Sequence, residues 1–196
     1  VGLRERKKAE TRQAVHQAAL RLTVELGFDA VTVEAIADAA NISRRTFSNY
    51  FAAKEDAVLY GEEQRIQELV EHIRRRPAGE PGWAALCGAA LELYEEQGVA
   101  ADREWAMRTR VARRHPALLA RQLGNQALLE HELAVEVASR EGLDADALRP
   151  RILAAAFLAA VRLATLVWLD ERESRPLDEV LRASLAEMGE DFTPAR

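Results

Sequence analysis

The sequence predicts an all-α fold of about nine helices. Three observations carry that prediction. Apolar residues recur at helical spacing through most of the chain, and β-branched residues rarely alternate with polar ones. Ala and Leu, which favour helices, are abundant. Gly and Pro are few, 10 and 6 in 196 residues. Apolar residues make up 48% and charged residues 30%, a globular balance that supports one large domain or two small ones.

The elements follow in order. A first helix is expected over about residues 5–26, with Val15, Ala18, Ala19, Leu22 and Leu26 as its apolar stripe and Gly27 as its stop. Phe28 then packs toward the core. Thr32 caps a second helix, whose inner face is Val33, Ile36, Ala37 and Ala40. Asn41 is suited to the left-handed conformation of a sharp turn. Ile42 plugs the gap, and Ser43 caps a third helix. That helix turns Phe47, Tyr50 and Phe51 to one side and Arg44, Arg45, Ser48 and Asn49 to the other. A fourth helix opens at Lys54 and ends near Arg76, burying Val58, Leu59, Ile66, Leu69, Val70 and Ile73.

The run Pro77–Gly82 is the clearest break in the chain. Five further helices are expected over about residues 82–97, 101–114, 116–140, 152–169 and 177–188. His115-Pro116, Gly142, Pro150 and Ser174-Arg175-Pro176 supply the breaks. The segment 152–169 is apolar apart from Arg162 and Thr165. A central Arg would cost roughly 2.5–3.5 kcal/mol in a bilayer, so a buried helix is the better reading and no membrane partner is expected. In that reading Arg162 is a buried charge that pairs with an acidic residue or meets a ligand anion; the pairing is preferred.

The net charge of −5 is unevenly placed. Residues 1–60 hold 9 basic against 8 acidic residues, and the remainder holds 18 against 24. Arg4, Arg6, Lys7, Lys8 and Arg12 fall in the first twelve positions, as phosphate contact requires, although a solvated basic terminus has the same composition. Two short capped helices, the second exposing Arg and Asn near its start, form a geometry for reading the major groove. Arg can fork onto guanine and Asn onto adenine. A reader of a palindrome also wants a two-fold partner. The apolar segment 152–169 together with the last helix is the natural surface for a second copy.

The stretch from Thr32 to Lys54 resembles the DNA-binding domain of TetR family regulators. The matching residues are Thr32, Ile36-Ala37, Ala40-Asn41-Ile42-Ser43, Thr46-Phe47, Tyr50-Phe51 and Lys54-Glu55. The family more often has Gly at the position of Asn41, and Gly or Pro at that of Arg45. The resemblance implies a helix-turn-helix domain over residues 1–53 and a helical sensor and dimerisation domain over 54–196. It implies that Thr46, Tyr50 and Lys54 touch phosphates while Arg44, Arg45 and Ser48 face base edges; contact of both arginines with phosphates alone stays open. The DNA-binding candidates are thus Thr32, Ser43, Arg44, Arg45, Thr46, Ser48, Asn49, Tyr50 and Lys54. A homodimer through the last two helices and a palindromic double-stranded operator follow from the same resemblance.

A sensor domain of this kind encloses an apolar cavity. Candidate lining residues are Trp83, Leu86, Tyr94, Trp105, Leu119, Leu123, Phe157 and Val161, each of which could equally be ordinary core. Arg108, Arg110, Arg113, Arg114 and Arg121 cluster across a helix end and the next helix start, where guanidinium groups suit phosphates or pair with neighbouring glutamates. The stretch is similar to the ligand domain of regulators related to the mycofactocin-system repressor. That likeness implies an acyl-CoA-like effector, with its acyl chain among the apolar residues and its phosphates near these arginines; Arg108 joins the candidate ligand contacts.

No enzyme is expected. There is no Gly-rich phosphate loop or nucleophile elbow. His16, His72, His115 and His131 lack metal-site spacing, so neither metal nor cofactor is expected. The single Cys87 and the lack of a signal peptide point to the cytoplasm. The expected function is a ligand-responsive, sequence-specific DNA-binding regulator, most simply a repressor released from a palindromic operator by a small apolar or acyl-CoA-like effector. The alternative is a helical carrier or interaction protein, which would have no need of the exposed Arg44, Arg45 and Asn49.

Overall fold

A computed structural model describes residues 2–170 and 175–190, with side chains for all of these except 3, 62, 63, 97, 99–106 and 108. Among the described residues the secondary structure is entirely helical: α1 (Leu3–Leu26), a 3-10 turn (Phe28–Ala30), α2 (Val33–Ala39), α3 (Arg44–Ser48), α4 (Lys54–Arg75), α5 (Gly82–Arg114), α6 (Pro116–Glu141), α7 (Leu148–Asp170) and α8 (Leu177–Gly189). The all-α expectation is met. The expected break after residue 97 is present as a kink within α5, where Gly98 takes φ 69° and ψ 177°. That left-handed conformation is open to Gly at no steric cost.

The chain forms two compact units: Val1–Arg65 with Met107–Gly124, and Ile66–Ala106 with Asn125–Arg196. The first unit therefore takes in the end of α5 and the start of α6 as well as the N-terminal helices.

In the first unit Val15, Ala18, Phe28, Ile36, Phe47, Phe51, Val58 and Leu118 make a closed core. Burying each large side chain contributes about 1.5–3 kcal/mol. The stripe expected on α1 needs one correction. Leu26 is exposed, while Leu20, His16 and Thr23 are buried. Leu26 is the last residue before Gly27, whose φ of 82° turns the chain away and leaves Leu26 outside the core. The His16 Nδ1–H donates to the Ala57 carbonyl at 2.8 Å, joining α1 to α4.

In the second unit the core is built from α4, α5, α6, α7 and α8, with Ile73, Leu86, Leu133, Leu153, Phe157 and Leu181 fully buried. Helix α7 begins at Leu148, earlier than residue 152, because Pro150 lies in the first turn, where its missing N–H leaves no bond unmade. By length and composition α7 could cross a membrane. Ten of its residues are instead buried in the protein core. Arg162 is not one of them. It is exposed, on the same side of α7 as Ile152, Ala155 and Leu163, so the expectation of a buried charge is corrected. An all-apolar pattern does not show which side of a helix meets its own core.

Arginines close the helix ends of this unit. Arg140 donates to the carbonyls of Ile73, Arg76 and Pro77 at and just beyond the end of α4, two of which also accept the N–H groups of Arg76 and Glu80. Arg76 pairs with both oxygens of Glu80, at 2.5 and 2.6 Å, and with Glu92. The hydrogen bond from Arg76 holds the Glu80 carboxyl below the usual carboxylate range.

Candidate nucleic-acid interface

The candidate interface is assembled from two caps and one turn. The Thr32 hydroxyl accepts the N–H of Ala35 at 3.1 Å and opens α2. At the other end Asn41 adopts φ 55°. The Asn41 N–H reaches the Asp38 carbonyl, and the Ile42 N–H reaches that of Ala37, at 3.0 and 2.9 Å. These paired bonds end a helix and reverse the chain, with Ile42 packed back on the core as the apolar lock. Ser43 then opens α3: its hydroxyl accepts the Thr46 N–H at 3.1 Å and shares a bond of 2.8 Å with the Thr46 hydroxyl.

Helix α3 is only Arg44–Ser48, too short to stand alone in water. Phe47 is its anchor, buried to 1% exposure and 5.7 Å from the Phe51 ring. The Tyr50 and Phe51 N–H groups both return to the Phe47 carbonyl. With Phe47 fixed inward, Arg44, Arg45, Ser48 and Asn49 are all exposed, and Thr46 and Tyr50 are half-buried. Asn49 lies just past the helix end, yet its backbone stays helical at φ −76° and ψ −17°.

Two of the candidates have protein partners that their spacing does not reveal. Arg44 Nη1 lies 2.9 Å from Glu34 Oε1 of α2, with side-chain exposures of 73% and 54%. An ion pair this exposed contributes no more than about 1 kcal/mol and leaves Arg44 open to exchange for another acceptor. The Lys54 ammonium donates to the carbonyls of Phe28 and Val31 at 2.8 and 2.9 Å and sits 4.3 Å from the Phe28 ring centroid. It holds the 3-10 turn in front of α2 and keeps one N–H beyond the two it uses.

Further side chains brace the same unit. Asp56 accepts the Ala53 N–H at 3.2 Å, closing the start of α4, and meets Arg121 of α6 at 2.7 Å. The His115 ring lies 5.2 Å from that of Phe28, and its Nδ1 is 3.8 Å from Asp29. Sequence reading missed the pairings of Asp56 with Arg121 and of His115 with Phe28 and Asp29, because nothing local marks a pair more than 60 positions apart.

The candidate effector residues divide. Trp83, Leu86, Tyr94 and Phe157 join the core of the second unit, and Val161 packs half-buried against it. Leu119 and Leu123 belong to the first unit and are 40% and 56% exposed, so they do not join that cluster. They sit on the outer side of α6, whose inner side there is Leu118. The side chains of Trp105 and Arg108 lie outside the described residues. Arg110, Arg113 and Arg114 are exposed. Burial pushes the Cys87 thiol up to about 12, with the charge of Glu80 acting in the same direction, so the thiol stays protonated.

Comparison with known proteins agrees with both halves. Residues 16–59 match the family described as bacterial regulatory proteins, tetR family. Residues 80–193 match the family described as the MftR C-terminal domain. The HTH-type transcriptional regulator TcmR of Streptomyces glaucescens is 36% identical over 174 residues, covering 85% of this chain and 76% of that protein. Two solved structures share the fold. One is Thermus thermophilus FadR, a TetR family transcriptional repressor in complex with lauroyl-CoA, with TM-score 0.61, 23% identity and coverage of 94% of this chain and 96% of that one. The other is Bacillus subtilis FadR in complex with stearoyl-CoA, with TM-score 0.61, 19% identity and coverage of 90% and 96%.

Proposed function

From the premise that the chain belongs to the tetR family of bacterial regulatory proteins and is a transcriptional regulator, we propose that it is a repressor released from a palindromic operator by an acyl-CoA-like effector. The observation that carries the reading is the exposed set Arg44, Arg45, Ser48 and Asn49 on a helix anchored by buried Phe47. Arg44 and Arg45 would fork onto guanine edges or hold phosphates, and Asn49 suits adenine. Thr46, Tyr50 and the remaining donor of Lys54 would hold the backbone. Thr32 and Ser43, whose hydroxyls already cap α2 and α3, would fix the angle at which α3 enters the groove.

Two copies would bind together, with their α3 helices at multiples of about 34–36 Å. The exposed apolar side of α7, with Ile152 and Leu163, and the adjoining α8 would form the dimer surface. The effector's acyl chain would insert among Trp83, Leu86, Tyr94, Phe157 and Val161. This is supported by the apolar character of the cluster and by the acyl-CoA complexes of the two FadR proteins. Effector binding would favour a dimer whose readers no longer match the operator, through a coupling of about 1–3 kcal/mol.

The test is selection of duplexes from a random pool, followed by titration with lauroyl-CoA and stearoyl-CoA. Enrichment of a palindrome, and affinity for it that falls about 5–150-fold with one of these ligands, are expected. A pool that stays random would end the reading. A bound palindrome indifferent to both compounds would end the acyl-CoA assignment alone.

A further inference from the structure

Charge divides between the two compact units differently from the way it divides along the chain. Residues 1–65 carry ten basic and ten acidic side chains, so they bring no net charge to the first unit. Residues 107–124, the other segment of that unit, carry five arginines and no acidic residue. The first unit is therefore at +5, and the whole of it comes from the corner where α5 ends and α6 begins. The second unit holds 12 basic against 22 acidic residues and stands at −10. The N-terminal cations are also less available than their number suggests. Arg12 lies over the rings of Phe51 and Tyr60, 6.0 and 5.6 Å from their centres, and Arg65 is buried.

The α5–α6 corner is fastened to the reader at three places. Ala112 and Leu118 are fully buried in the core that holds Phe28, Ile36 and Phe47. The His115 ring meets Phe28, the ring that also carries the Lys54 ammonium. Arg121 meets Asp56, two positions after Lys54. The corner thus rests on both segments that converge at Lys54, the 3-10 turn before α2 and the start of α4. Arg110, Arg113 and Arg114 are left exposed, and among the described residues none of the three has a carboxylate partner.

Helix electrostatics explain only part of this charge. Arg113 and Arg114 lie in the last turn of α5, where cations are favoured. Yet α6 opens with no acidic residue in its first turn, the place where the dipole favours one. Residues 105–129 contain no Asp or Glu at all.

We propose that the α5–α6 corner is part of the operator-binding surface, with Arg110, Arg113 and Arg114 neutralising DNA phosphates beside those held by Lys54. The inference rests on the operator-binding reading above. The corner adds affinity and no base preference, since a cluster of cations matches phosphates and carries no pattern for base edges. It gives an otherwise neutral reader its positive field, although its residues belong by chain to α5 and α6. An effector anion is the other source of phosphate. The arginines belong to the unit that carries α3, whereas the apolar cluster proposed for the acyl chain belongs to the other unit, so DNA is the source they fit.

The test compares the wild type with R110Q/R113Q/R114Q and with R110K/R113K/R114K. Gln and Lys keep the helix as Arg does, and the three positions are exposed, so equal melting temperatures are expected. The probe is a palindromic duplex selected from a random pool by the wild-type protein, and dissociation constants are measured across a salt series. With the Gln variant the slope of log affinity against log salt should flatten by about 0.9 for each phosphate left without its cation, and affinity at moderate salt should fall on the order of tenfold. The Lys variant should keep the wild-type slope, because neutralisation needs the charge and not the guanidinium fork. Reselection with the Gln variant should return the same bases. Should the triple Gln variant melt early, R113Q alone carries the test, with a flattening of about 0.9 expected.

An unchanged slope in the Gln variants overturns the proposal, as does an altered base preference. A Gln variant with the wild-type slope that needs more lauroyl-CoA or stearoyl-CoA for release overturns it in favour of effector phosphates. A wild-type protein that enriches no site brings down the regulator reading and the corner with it. A wild type that selects a palindrome, beside a Gln variant that matches it at every salt concentration, brings down the corner alone.

Discussion

Thr32–Ser48 and Leu148–Asp170 are both helical, yet opposite forces hold them. The first stretch is two short helices in which nearly every bend has its own chemical cause: a threonine cap, an asparagine at φ 55°, a serine cap. One large side chain, Phe47, then ties α3 to the core. The second stretch, α7, has ten buried residues and depends on the helices around it. An element built from local bonds can leave one whole face polar and unburied. An element built from burial cannot, unless something else covers it. That is why exposed arginines on α3 point to a polar partner, while exposed Ile152 and Leu163 on α7 point to an apolar one.

The contrast can be broken most forcefully at Phe47. Phe47→Ala should cost about 3–5 kcal/mol by urea unfolding, because α3 has no second anchor of that size. A loss below 1 kcal/mol would mean that the caps suffice. In the second unit close packing is the corresponding weak point. A side-chain carbon on Gly189 would collide with the Trp83 indole, itself buried. Gly189→Ala should therefore cost about 1–3 kcal/mol by thermal melting while leaving the base preference unchanged.

Arg44→Ala tests the polar face. Affinity for the selected palindrome should fall about 5–150-fold if Arg44 meets a base, with relaxed preference at one position of each half-site. A uniform loss across sequences would assign it to phosphate instead. Its effect on unfolding should stay within about 1 kcal/mol, since only the exposed pair with Glu34 is removed. Ser43→Ala should cost about 1 kcal/mol in stability, and Ser43→Gly less.

The smallest effect is expected at Glu80. Arg76 lowers its folded pKa below the ordinary 4.5, so the pair stabilises the fold above that value and the contribution is lost as pH falls through the folded pKa. Glu80→Gln should flatten the acid limb of a melting curve below about pH 4.5 and leave the neutral region's slope unchanged. An unaltered acid limb would show that the pair is screened in solution.

The local features of the reader were legible residue by residue. Thr32, Asn41 and Ser43 act on neighbours within five positions, so their chemistry is written in adjacent letters. Gly27 and Gly142, at φ 82° and 66°, are legible for the same reason. The partners of Lys54, Arg44, Asp56 and His16 were not, because each lies on another element and only folding brings it near. Leu119 and Leu123 have the same periodicity as core leucines, yet their side of α6 faces outward. Arg162 looked buried because its neighbours in sequence are apolar; its own side of α7 is open.

By itself the sequence determined what neighbours decide: the all-helical class, the capped turn between α2 and α3, the polar face of α3 and the family that these residues mark. Tertiary structure alone decided what distant contacts decide. It joined Met107–Gly124 to the N-terminal unit, turned the Lys54 ammonium onto two carbonyls and set Arg12 beside Phe51 with the basic start of α1 left outside the core. The physical reason is range. A cap or a left-handed turn is a bond across a few residues, whereas burial and ion pairing depend on which surfaces meet, and one strand of letters does not record that.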